Sequence, residues 1–266
     1  MISIIEKYLI KTNIWVALCF TGLVIFFQLG LYYPIPSIWG IAFFGTLAIY
    51  NFTRIPSFEE VLALKKKYYP RMVLTIIGII GALIFLFIRG FDIKTFLYLF
   101  VLGFLSFCYS LPFSGLGLRT IPFIKLFLIA FVWAGSSIGL LLVAHQDIFQ
   151  YKFLFLSVFL FVVGITIPFD IRDAGSDEIE LKTIPQVIGI GKAKNMAIIC
   201  LLLSGFFFYL EFPEGHELVW IWMLTISISL MLTLNASPKK SDFYYTFWME
   251  ACSVVPLIFY LASHLI

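Results

Sequence analysis

Asp170, Asp173 and Asp177 are spaced i, i+3 and i+7, directly after a long apolar run. On a helix continued through them, all three project from one face. Three like charges so placed repel, and a hard divalent cation offsets them. Mg²⁺ takes a few carboxylates, several waters and the oxygens of a phosphate-bearing ligand. Asp170 abuts the apolar run and Pro168 precedes it by two residues. Ionisable groups at such depth point to function. The plainer alternative is a solvated helix end carrying surface acids. Arg172 and Lys182 suit neutralising phosphate charge beside a metal, or are ordinary basic residues of a connecting segment, as Lys192 and Lys194 also are.

A second polar stretch runs from Asn51 to Glu59 and holds one amide, one guanidinium (Arg54) and Glu59 among its first nine residues. Tyr109 follows the fourth apolar run, then Arg119, and Lys125 lies about a turn inside the fifth. Lys125 fits a phosphate contact or a lysine that snorkels to an interface. Tyr109 also fits an aromatic belt. Glu250 lies inside the ninth run, where its partner is not readable. Cys19, Cys108, Cys200 and Cys252 each sit in an apolar run without metal-ligand spacing, as small buried hydrophobes do.

The elements that must position these groups are membrane helices. Of 266 residues, 62% are hydrophobic and 12% charged, against about a quarter charged in a soluble domain. Apolar runs fall at 14–33, 35–52, 72–88, 94–111, 121–144, 153–169, 195–212, 218–235 and 244–265. Most approach the roughly 20 residues a spanning helix needs, and their length and continuity exclude a β-barrel. Residues 2 to 10 carry Ile2, Ile5 and Leu9 at helical spacing, consistent with a short interfacial helix. The run after Lys7 and Lys11 is too long for a signal peptide and lacks a cleavage site. With the N-terminus inside, 15 of the 18 Lys and Arg residues fall on the cytoplasmic side, as the positive-inside rule asks. The reading is an all-α, multi-pass membrane protein. It is a single domain over 1–266, a bundle of about nine transmembrane helices around a central cavity. The net charge of +3 says nothing of nucleic acid, and no protein partner is expected.

The step Asp170-x-x-Asp173-x-x-x-Asp177, then Lys182-Thr183-Ile184-Pro185 before a Gly-containing turn, resembles the second aspartate-rich motif of the UbiA-type intramembrane prenyltransferases. The residue-level resemblance covers about 168–191. Helix count, orientation and long-loop placement extend it to the whole chain. It implies nine helices with two aspartate-rich motifs facing the cytoplasm and Mg²⁺ as cofactor. An isoprenyl diphosphate would donate its prenyl group to an aromatic or other lipophilic acceptor within the bilayer. By this resemblance Asp170, Asp173 and Asp177 are catalytic and hold metal, with Asn51 and Glu59 as what remains of the first metal motif and Tyr109 catalytic. Arg54, Arg119, Lys125, Arg172 and Lys182 would bind substrate. The expected location is a bacterial inner (cell) membrane with a cytoplasmic N-terminus. The first motif departs from the family: Phe52 and Ile55 stand where acids belong, and Phe113 stands where a Lys follows Tyr109 in the family. The alternative is therefore a non-catalytic member that binds isoprenoid diphosphate or lipid. A transporter is disfavoured, because no pair of broken helices stands in matching halves.

Overall fold

The computed structural model describes residues 2–55, 66–90, 92–110, 124–145, 151–175, 183–212 and 215–265. Among them all regular structure is helical. A short segment, Ile2–Ile5 and Glu6–Ile10, comes first. Nine helical rods come after it among the described residues: α1 Ile14–Gly30, α2 Pro36–Thr53, α3 Tyr69–Arg89, α4 Ile93–Ser110, α5 at 124–145, α6 Lys152–Asp173, α7 Ile190–Glu211, α8 Glu217–Asn235 and α9 at 242–265. Among the described residues five stretches are long and apolar enough to cross a membrane: Lys66–Arg89, Ile124–Val143, Lys152–Asp173, Ile190–Glu211 and Glu217–Asn235. That pattern is one of a multi-pass membrane protein. Every apolar run in the sequence coincides with a rod to within about five residues. The largest difference is at α7, which begins at Ile190 because Gly189 (φ 84) turns the chain there.

Helix α1 is apolar all round, and such a helix is buried. Most of its residues from Val16 to Gly30 are buried. It packs against α2, α5 and α9. Toward the end of α1 near Gly30, Phe26 and Phe27 meet Trp222, which also stacks on Phe208 with ring centres 4.8 Å apart and touches Phe161 at 5.0 Å. These rings form one fully buried aromatic cluster. Between the helices lies a cavity walled mainly by α2, α3, α4 and α5, with residues of α1, α6 and α9 completing it.

Glycines set the approach of α2 and α3. A Cβ on Gly78 would lie 2.7 Å from both the Ala48 nitrogen and the Phe44 carbonyl oxygen. Thr75, Gly78 and Gly81 are the buried residues of α3, so its contact face is made of small side chains, as in membrane helix pairs. Ile76, Ile80, Leu83, Ile84 and Phe87 remain exposed, where lipid would cover them. Although joined by only three residues, α3 and α4 hardly touch one another: α3 leans on α2, and α4 packs mainly on α5. Two π turns interrupt the rods, Gly135–Gly139 in α5 and Tyr244–Met249 in α9. Helix α9 breaks again at 252–254, where a Cβ on Gly22 of α1 would meet Val254 at 2.5 Å.

Candidate functional site

Helix α6 does continue through Asp170 and Asp173 despite Pro168 inside it. The two acids nevertheless meet different partners. Asp170 is 4% exposed and accepts a hydrogen bond from the Lys125 ammonium at 3.0 Å. That contact ties the end of α6 to the start of α5. Asp173 is held by the fork of the adjacent Arg172, whose Nε donates at 2.6 Å and Nη2 at 2.8 Å to its two oxygens. The Arg172 guanidinium also lies over the rings of Phe169 (5.6 Å) and Tyr245 (5.7 Å), a cation–π arrangement that fixes its plane.

These groups stand at one end of a cavity of about 690 Å³. Arg54, Lys125, Arg172, Asp173 and Glu250 line it together with Tyr50, Thr53 and Tyr109. Its remaining wall is mostly apolar, including Phe20, Leu83, Leu86, Phe96, Phe100 and Trp133. Gly45 and Gly103 line it too, and a Cβ on either would meet nothing within 4 Å. The space has the shape of an amphiphile: a charged pole opening onto an apolar, aromatic-lined body. Pockets of this size, apolar with a few convergent polar groups, are ordinary ligand sites.

Of the residues singled out in the sequence, Arg54, Tyr109, Lys125, Arg172, Asp173 and Glu250 come together on this wall. Asp170 stands behind it, reaching it through Lys125. Asn51 does not line the cavity. It is fully buried, accepts from the Asn13 amide at 3.2 Å, and donates to the Thr12 and Leu47 carbonyls at 3.0 and 2.9 Å. Its amide therefore works as a strut between the start of α1 and the end of α2. Asn13 enters α1 with φ 60, a left-handed conformation that Asn tolerates. Glu59, Arg119, Asp177 and Lys182 lie outside the described residues. The sequence reading missed Tyr50, Thr53, Ser136 and Thr246 as lining residues. The only signal for them was a polar atom inside an apolar run.

Of the five residues expected to hold Mg²⁺, Glu59 and Asp177 lie outside the described residues. Each described carboxylate of the α6 end is already neutralised by its own cation, and Asn51 is turned away from them. Among the described residues no three metal-ligating side chains gather. No family model, no curated protein and no solved structure matches the chain. The fold thus stands as an all-α, multi-pass membrane protein, and its use is argued from the cavity.

Proposed function

We propose that this chain binds an isoprenyl diphosphate in this amphiphilic cavity and transfers its prenyl group to a lipophilic acceptor inside the bilayer. The observation that carries the reading is the amphiphilic cavity, whose charged pole joins Arg54, Lys125 and Arg172 from three helices. Guanidinium forks and an ammonium suit diphosphate oxygens, and aromatic faces suit the allylic cation that develops as the diphosphate leaves. The motif resemblance at 168–191 supports the same ligand. In this reading all nine rods span the membrane, and the basic end with its N-terminus faces the cytoplasm.

Mg²⁺ enters the proposal as the counter-ion that arrives with the diphosphate and not as an ion stored on the protein. A trianionic diphosphate meets three cations and three acids at this pole, so a charge-compensating ion that travels with it improves the balance. The test is binding of a non-hydrolysable prenyl diphosphate to the protein in nanodiscs across a Mg²⁺ titration. Binding is expected to strengthen with Mg²⁺, and Arg54→Ala is expected to weaken it about tenfold while keeping that dependence. Absence of binding at every Mg²⁺ concentration would end this reading.

One observation favours a second reading, a non-catalytic binder of isoprenoid diphosphate or lipid. Asn51, the matching residue of the first motif, is committed to Asn13 and Thr12. The two readings separate on diphosphate release, since a binder holds its ligand intact.

A further inference from the structure

Glu250 is the acid at this site that the diphosphate does not require. It is carried by α9, directly after the π turn Tyr244–Met249. An extra residue in a helical turn re-aims the side chains beyond it, and such turns recur at functional sites. Here Thr246 and Glu250, four apart, both face the cavity, while Tyr245 and Met249 beside them are buried in the core. Among the described residues the Glu250 carboxyl makes neither a hydrogen bond nor an ion pair within 4 Å. The charges that act on it come from Arg54 on α2 and Arg172 on α6. Tyr50 of α2, Cys19 of α1 and Cys252 of α9 are the other ionisable groups coupled to it. A carboxyl inside a membrane helix is costly and is kept where it faces a polar partner or a cavity. This one faces the cavity, close enough to the diphosphate pole to feel two of its three cations.

We propose that Glu250 is the proton acceptor for a hydroxyl-bearing acceptor substrate, which its carboxylate also orients. The proposal rests on the transferase reading. In the step, the allylic C–O bond of the prenyl diphosphate breaks and its electron pair leaves with the diphosphate. A bond forms between the allylic carbon and the nucleophilic oxygen or ring carbon of the acceptor, and the acceptor's proton passes to the Glu250 carboxylate. No electrons are gained or lost overall. Positioned proton acceptors contribute about 10²–10⁴-fold to such reactions. Placed beside the developing allylic cation, the same carboxylate also stabilises its charge. Phenols and other acidic hydroxyls are the acceptor class that uses such a base.

The experiment compares wild type, Glu250→Gln and Glu250→Asp in nanodiscs by three readouts. One is labelling by the membrane-permeant carboxyl reagent dicyclohexylcarbodiimide, with and without a phenolic amphiphile. Another is affinity for a prenyl diphosphate. The last is the rate and pH profile of transfer to phenolic and alcoholic acceptors. The expected result is labelling at Glu250 that the phenolic amphiphile suppresses and Glu250→Gln abolishes. Diphosphate affinity in Glu250→Gln should stay within about threefold of wild type while transfer falls about 100-fold or more. The acid limb of the pH profile should disappear in that variant, and Glu250→Asp should restore part of the rate. Retained diphosphate binding shows that the variant is folded. Glu250→Gln transferring at the wild-type rate would overturn the proposal and leave the transferase reading standing. Loss of diphosphate affinity in parallel with rate would also overturn it, by making Glu250 a support of the anion pole. Wild type that binds no prenyl diphosphate would overturn both.

Discussion

At the scale of single residues, Lys125 shows how one partner decides between two readings. A lysine a turn inside a membrane helix can snorkel outward to the interface or turn inward. Here its ammonium turns to Asp170, and the pair joins α5 to α6. Asp170 is nearly buried while the Lys125 side chain is 31% exposed, so the coupling falls between that of a surface pair and a fully buried one. A double-mutant cycle with Lys125→Met and Asp170→Leu, monitored by thermal unfolding in detergent, should give a coupling of about 1–3 kcal/mol. Each single variant should be less stable than the double one, because it strands a charge. Asn51 gives the contrary lesson. An amide looks the same in sequence whether it ligates a cation or ties two helix ends, and its main partner, Asn13, lies 38 residues away. Nothing local distinguished the strut from the ligand.

At the scale of elements, the α2–α3 pair is where a single methyl group matters most. The neighbours of a Cβ on Gly78 are backbone atoms of α2, which cannot rotate aside as a side chain would. Gly78→Ala should therefore destabilise the protein by about 1–3 kcal/mol through overpacking, despite alanine's better helix propensity. Gly45→Ala, with open space around it, should be neutral or stabilising. Thermal unfolding of the two variants side by side checks this. The rods themselves were legible, because the length of an apolar run is a direct record of the hydrocarbon it fills. The continuation of α6 to Asp173 was legible too, from the i, i+3 spacing. The arrangement of the rods was not. Hydropathy does not encode which helix sits inside, and the uniform apolarity of α1 was the only hint that it would be buried.

At the scale of the whole molecule, the cavity is bounded on one flank by α3 and α4, which lean on α2 and α5 respectively without closing on each other. Leu83 and Phe100 line the cavity and are also 56% and 61% exposed. The apolar body of the site thus borders the hydrocarbon itself through the gap between α3 and α4. In the proposed transferase reading, reactants with long apolar chains reach the protein by travelling in two dimensions, and the quantity that sets occupancy is their mole fraction in the bilayer. Adding inert lipid at constant bulk concentration should slow turnover in proportion to the dilution, whereas adding buffer should leave it unchanged. The same gap makes bilayer thickness and acyl-chain order part of the environment of the site, so that the membrane acts as solvent, reservoir and wall of one compartment.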